Sequence, residues 1–165
     1  MVSLKEITTS DTPLILKWRN SDFVRNNFVI REKFTEQTQE KWLSDVVAKG
    51  KAIQYIILND NFPIGSVYIR DIDHVNKNGE FGIFIGEKDY IGKGLSLFAT
   101  KEILKIAFET LSLHRVYLRV FIDNIPAIKT YEKAGFIKEG VLRDTVLIDG
   151  KFKDMLLMAN IKDRK

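Results

Sequence analysis

Residues 80–96 read EFGIFIGEKDYIGKGLS, a strand-like apolar run followed by a glycine-rich turn. Apolar residues then recur with a helical period from Leu95 to Leu111, so the turn lies at the start of a long helix. Gly92 and Gly94 permit positive φ, and the free N–H groups of a helix start attract an anion. Lys93 adds a positive charge. The turn suits a pyrophosphate, although a plain tight turn explains these glycines equally well.

Strand and helix patterns on both sides of this stretch predict the rest of the fold. Strands are expected at 2–7, 52–58, 64–69, 80–86, 116–120, 146–148 and 152–158, and helices after Ser10, over about 35–47 and 95–111, and from Asn124 to Gly135. A helix between strands 80–86 and 116–120 makes these two strands parallel. We therefore expect an α/β (α+β) fold, in which one mixed, mostly antiparallel sheet has helices on both faces, and a single domain over residues 1–165.

The composition excludes several functional classes. The chain has 165 residues, of which 45% are hydrophobic and 29% charged, with a net charge of +4 and no cysteine. A disulfide framework, a thiolate metal site and a cysteine nucleophile are therefore excluded. Apolar runs are too short to cross a membrane, residues 1–6 have no signal-peptide core, and His74 and His114 lack further ligands for a metal. We expect a cytoplasmic protein that binds an anionic ligand but neither nucleic acid nor membrane.

A second motif, residues 124–136, reads NIPAIKTYEKAGF and is more specific than the glycine turn. Together with EFGIFI and IGKGLS, it resembles the GNAT superfamily of acyl-CoA N-acyltransferases. The resemblance extends over residues 80 to about 158 and is loose in the N-terminal part. It points to the subgroup of ribosomal-protein N-terminal, spermidine and amino-sugar-nucleotide acetyltransferases. It implies the GNAT fold, with acetyl-CoA as the co-substrate.

The resemblance also implies a set of cofactor-binding residues. The family's loop pattern Q/R-x-x-G-x-G/A falls on residues 91–96, where Ile91 and Ser96 depart from it. Ile91 lacks the side-chain donor that Gln or Arg would supply. The backbone amides of the loop do not depend on the side chains, so we expect the cofactor to bind with adjusted affinity and binding not to be lost. The strand before the loop is expected to pair through its backbone with the pantetheine arm. The implied residues are Ile83, Phe84, Ile85, Ile91, Gly92, Lys93, Gly94, Leu95, Ser96, Leu97 and Asn124.

Acetyl transfer to an amine requires a proton acceptor and a proton donor. An alkyl ammonium has a pKa of about 10 and a thiol one of about 8.5, so the amine must lose a proton and the leaving thiolate needs one. In many related enzymes a tyrosine at the position of Tyr131 is the acid, and packing on the sheet is its alternative role. Glu80 is the candidate base, directly or through water, and a solvent-facing strand end is its alternative. Without cysteine, direct attack in a ternary complex is the simplest route.

The acceptor site is expected near the end of the first helix, at Trp18, Arg19 and Asn20. This triplet resembles a W-R-N sequence of amino-sugar-nucleotide N-acetyltransferases. Arg19 can bind a phosphate and Trp18 can stack on a base or sugar. The alternative is a core tryptophan beside a solvated arginine.

Other acceptors and another function stay open at this stage. A polyamine acceptor calls for clustered acids, whereas Glu32, Glu36 and Glu40 alternate with basic residues. A site for a small-molecule amine or for a peptide N-terminus has no characteristic sequence motif, so both acceptors stay open. A homodimer stays open for the same reason. The competing function is a catalytically silent, regulatory acyl-CoA-binding module, which the departures at Ile91 and Ser96 allow.

Overall fold

In the computed structural model, which describes residues 1–164, seven strands form one sheet in the order β1-β2-β3-β4-β5-β7-β6. The strands are β1 (Val2–Glu6), β2 (Ile53–Asn59), β3 (Phe62–Asp73), β4 (Asn78–Ile85), β5 (Arg115–Phe121), β6 (Ile137–Ile148) and β7 (Lys151–Ile161). The helices are α1 (Thr12–Arg19), α2 (Asp22–Arg25), α3 (Glu36–Trp42), α4 (Leu95–Lys105) and α5 (Ile125–Lys133). Wider π-helical turns extend α3 through Leu43–Val47 and α4 through Ile106–Thr110.

Turn chemistry and connection lengths explain the strand pairing. Asp60 and Asn61 both have positive φ, 48° and 67°, as a two-residue turn between antiparallel strands requires. Asp149 and Gly150, at 50° and 75°, do the same between β6 and β7. The single parallel pair in the described residues is β4 with β5, which α4 connects. The predicted mixed, mostly antiparallel sheet is therefore confirmed.

Helices cover both faces of the sheet, as predicted. Along β4, Phe81 packs in the larger core with residues of α4 and α5, including Ile103 and Ile128. Phe84 packs instead in a second core with Ile15 of α1 and with α2. This division follows from the two-residue side-chain period of a strand. Residues of β4 consequently reach both faces of the sheet.

The two strands that differ most from the sequence pattern are β3 and β6, both of which are longer than predicted. β6 begins at Ile137, not at 146. Its first residues give no strand signal in the sequence, because β6 is an edge strand whose residues are mostly exposed and do not alternate in hydrophobicity. β3 continues past Ile69 to Asp73 through Arg70, a charged residue that ends the apolar run. The short helix α2 is also absent from the prediction. Within residues 1–164, no helix is both long and apolar enough to span a bilayer, and no three His, Asp or Glu side chains are grouped to hold a metal ion.

Candidate active site

A gap in the sheet opens a cavity next to the glycine turn. The parallel strands β4 and β5 pair over only three residues, from Asn78 opposite Arg115 to Glu80 opposite Tyr117. Both strands continue beyond this point, but they separate. The cavity that results has a volume of about 660 Å³ and is lined by residues of β4, β5, the glycine turn, α5 and the N-terminal helices.

The backbone of β4 supplies free polar groups along one wall of this cavity. Gly86 N donates a hydrogen bond of 2.7 Å to Ile64 O, so the main chain of Gly86 faces β3. Because backbone groups alternate along a strand, those of Phe84 also face β3, while those of Ile83 and Ile85 face the gap. Ile83 and Ile85 can therefore pair with an extended ligand, as expected. Phe84 instead contributes its ring to the lining, which corrects the expectation for its backbone.

The turn before α4 presents its backbone to the same cavity. Gly92 and Gly94 have φ of 77° and 76°, and Gly94 is the N-cap of α4. No side chain among residues 1–164 caps this helix start, and a Cβ on either glycine would meet nothing within 4 Å. Free N–H groups thus face an open space, which fits the pyrophosphate of an acyl-CoA. The lining includes Ile91, Gly92, Gly94, Leu95 and Ser96 but omits Lys93 and Leu97.

Tyr131 reaches the cavity from α5. Asn124, which also lines the cavity, begins this helix, and its Oδ1 accepts a hydrogen bond of 3.4 Å from Ala127 N. The Tyr131 ring stands edge-on to the rings of Phe81 and Phe136, with centroids 5.6 and 6.0 Å away. Burial, and secondarily the nearby Tyr68, raise the pKa of Tyr131. The phenol is therefore protonated at neutral pH and is available as a donor.

Glu80 lies buried where β4 and β5 begin to separate, not at a solvent-facing strand end. Its Oε1 accepts hydrogen bonds from Arg70 Nη2 and from Arg119 Nη2, each 3.1 Å long. Two guanidinium groups therefore bind this carboxylate through charge-assisted hydrogen bonds. Glu80 is consequently suited to attract an ammonium group or to orient water.

The three residues of the predicted acceptor site have different roles in the fold. Trp18 is fully buried, and its Nε1 donates a 2.8 Å hydrogen bond to Glu87 Oε1, so it is a core residue. Asn20 bridges to Phe34, donating to its O at 2.9 Å and accepting from its N at 2.7 Å. Neither side chain lines the cavity, which corrects their assignment to acceptor contacts. Arg19 does line it.

The sequence analysis missed several cavity residues, among them three on the central strands. Tyr68 and Arg70 lie on β3 and Arg119 lies on β5, and all three line the cavity. Tyr68 lies over β4 at Gly82, where a Cβ would clash with its ring. Polar residues alternate with Val67 and Ile69 along β3, and this period-two pattern was the available signal. The predicted strand ends at Ile69, so the pattern did not extend to Arg70.

An anion-binding helix start, an exposed strand edge and a buried tyrosine around one cavity define a class of acyl-CoA-dependent transferases. Residues 2–137 match the family model described as "Acetyltransferase (GNAT) domain". The chain therefore belongs to the GNAT acetyltransferase family. This result confirms the predicted family, fold class, enzymatic acetyl transfer and use of acetyl-CoA.

Known proteins similar to this chain include two spermidine N(1)-acetyltransferases. The Escherichia coli K12 enzyme is 32% identical over 140 residues, which are 81% of this chain and 75% of that enzyme. The Vibrio cholerae enzyme is 34% identical over 101 residues, so the match covers 61% of this chain and only 58% of that enzyme. The crystal structure of a Vibrio cholerae spermidine N-acetyltransferase with CoA and spermine superposes with a TM-score of 0.91 at 23% identity, covering 98% of this chain and 95% of that one. At this identity, the superposition establishes the shared fold.

Proposed function

We propose that this chain acetylates a primary amine by direct attack of the amine on acetyl-CoA within a ternary complex. One observation carries the proposal: the separation of β4 from β5 opens a single cavity to the glycine turn, to Tyr131 and to Glu80. Each of these elements has a separate task in acetyl transfer. Their convergence distinguishes an acetyltransferase site from a general nucleotide-binding cleft.

Main-chain groups of this chain hold the cofactor. Ile83 and Ile85 offer backbone donors and acceptors to an extended arm, and the N–H groups from Gly92 to Ser96 bind a diphosphate. Bound acetyl-CoA supplies an activated thioester and its acetyl group. Lys93 and Leu97 lie outside the cavity lining, so their predicted contacts are with parts of the cofactor beyond the cavity.

Two side chains carry out the proton transfers. Tyr131 donates a hydrogen bond and then a proton to the sulfur that leaves, because its phenol is protonated at neutral pH. Glu80 is paired with Arg70 and Arg119, and it removes the proton of the amine directly or through an oriented water. Positioning of the two reactants supplies much of the remaining rate gain.

The acceptor of the acetyl group is an amine that belongs to one of three chemical classes. The similar enzymes are named for spermidine, whereas an amino-sugar nucleotide and a peptide N-terminus also present free amines. Acetyl-CoA is an intracellular metabolite, so we propose that the reaction takes place in the cytoplasm.

The test is a turnover assay with acetyl-CoA and a panel of amines, in which free thiol is measured. The panel contains a polyamine, an amino acid, an amino sugar and a peptide with a free N-terminus. Matched N-acetylated compounds, which have no free amine, are the controls and should release no thiol. Saturable cofactor binding without thiol release from any amine class would instead support the silent acyl-CoA-binding module.

A further inference from the structure

The charged residues of the cavity are predominantly positive. Arg19, Arg70 and Arg119 line it, and Glu80 is the only acidic side chain of the described residues in the lining. Glu80 is already paired with two of these arginines. A polyamine entering the cavity would therefore meet an excess of positive charge. The lining favours an acceptor that carries negative charge away from its amine.

Arg19 is a buried cation whose donors are not fully used. Arg19 is 8% exposed. Its guanidinium lies 3.8 Å from the ring centroid of Phe28 and 4.2 Å from that of Phe34. Its Nε has no hydrogen-bond partner among residues 1–164. Burial lowers the pKa of Arg19, which reflects incomplete solvation of its charge. An anion in the cavity would supply the missing acceptor.

Gln39 of α3 is a second incompletely bonded group in the same lining. It is 2% exposed, and its Nε2 has no hydrogen-bond partner in the described part of the chain. The adjacent polar groups are satisfied: Trp42 Nε1 donates to Gln54 Oε1 at 2.8 Å, and Gln54 Nε2 donates to Ser66 Oγ at 2.9 Å. Because buried donors are nearly always bonded, two free donors in the lining of one cavity indicate a ligand with acceptor oxygens.

We propose that the acceptor amine carries an anionic oxygen group, a carboxylate or a phosphate, that Arg19 and Gln39 bind. Resting on the proposed function, this assignment places the amino group of the acceptor toward Glu80 and its anionic group toward α1 and α3. Aromatic side chains, including Phe28, Phe34 and Trp42, line the cavity beside these donors and pack against the body of the acceptor. The polyamine acceptors for which the similar enzymes are named lack this anionic group.

Matched substrate pairs test the assignment and distinguish the two sources of negative charge. Glucosamine 6-phosphate is compared with glucosamine, and alanine with alaninamide, while spermidine represents polyamines. For each compound, kcat/KM is measured by thiol release, and binding to the CoA-saturated protein is measured by calorimetry. We expect the anionic member of one pair to be preferred by about 10-fold or more, since a charge-assisted hydrogen bond is lost in its partner. The preferred pair identifies phosphate or carboxylate.

Two variants connect this preference to its residues. Arg19→Gln should reduce the preference by about 10-fold through the KM of the acceptor, with the KM of acetyl-CoA unchanged, and Arg19→Lys should restore part of it. Gln39→Leu should reduce the preference while keeping or raising the melting temperature, because it removes a buried free donor. Gln37→Leu, the same change at an exposed position of α3, is the matched control and should alter neither.

The outcomes separate this inference from the proposed function. Turnover with equal kcat/KM for both members of each pair, or with spermidine preferred, would overturn the anionic acceptor and leave the acetyltransferase intact. Preferential binding of the anionic member without turnover would support the assignment of Arg19 and Gln39 and count against the proposed function. Equal or absent binding of all compounds in calorimetry would overturn the assignment.

Discussion

The ring of Tyr131 stands edge-on to the ring of Phe81 at 5.6 Å, and Phe81 directly follows Glu80 along β4. Successive side chains of a strand point to opposite faces, so Tyr131 and Glu80 approach from opposite sides of the sheet. They share a cavity because β4 and β5 separate immediately after Glu80. The proposed donor and acceptor of protons therefore reach the reacting groups through a gap in the sheet.

Replacing Tyr131 by Phe should lower kcat by about 10²-fold, because it removes a general acid. The ring packing against Phe81 and Phe136 is retained, so the melting temperature and the KM of acetyl-CoA should change little. Steady-state kinetics together with thermal unfolding measure both effects. Tyr55→Phe, on β2 outside the cavity lining, is the matched control and should keep full activity. An unchanged kcat in Tyr131→Phe would place the proton donor elsewhere.

The raised pKa of Tyr131 predicts a particular pH profile. Its donor form is present below its pKa in the folded protein and is lost above it, so a raised value extends activity to higher pH. We expect kcat/KM to rise with pH as the amine loses its proton, and kcat to show no decline up to about pH 10, the ordinary range of tyrosine. Initial rates measured across about pH 6–10 test both expectations. A decline in kcat near neutral pH would contradict the role of this phenol.

Replacing Glu80 by Gln should affect both activity and stability. We expect kcat to fall by about 10²-fold, within the range typical of a lost acid–base group. Arg70 and Arg119 would lose their ionic partner, so the free energy of unfolding should fall by about 1–3 kcal/mol. Kinetics and denaturant unfolding separate the two effects. A destabilised variant with full kcat would show that Glu80 only holds the two arginines in place.

Replacing Gly94 by Ala should weaken cofactor binding. The residue has a φ of 76°, where a Cβ costs about 1–2 kcal/mol, and its N–H group belongs to the proposed diphosphate site. We expect a raised KM for acetyl-CoA as well as reduced stability. Gly150→Ala is a matched control, because Gly150 has a φ of 75° and lies in the β6–β7 turn. An equal loss of stability in both variants, without any change in KM for Gly94→Ala, would exclude the turn as the diphosphate site.

Replacing Ile91 by Arg should strengthen cofactor binding. Ile91 is 52% exposed and lines the cavity at the position where the family pattern has Gln or Arg. A guanidinium there adds a charge-assisted contact to an anion, so we expect the KM of acetyl-CoA to fall by about 3- to 10-fold. Ile91→Met is the uncharged control and should leave this KM unchanged. A KM unaffected by the arginine would show that the cofactor phosphates lie beyond its reach.

Short-range chemistry determined much of the fold in advance. Positive-φ residues such as Asp60 and Asp149 fix two hairpins, and the helix between β4 and β5 requires a parallel pair. The glycine turn and the motif around Tyr131 are each a continuous stretch of sequence. Both can therefore be recognised without the structure, and the family resemblance predicts that they lie at one cavity. Weakly patterned elements such as β6 were less predictable, because an exposed edge strand has no hydrophobic period.

By itself, the sequence determined the turns, the helix start and the chemical groups of the proposed cofactor site, because these depend on neighbouring residues. Only the tertiary structure decided that Trp18 belongs to the core and that Glu80 lies between Arg70 and Arg119. It also decided that Arg19 and Gln39 share one cavity. The physical reason is that strand register and separation arise from packing between residues far apart in the chain. The charge of the proposed acceptor-binding region is therefore a property of the folded protein.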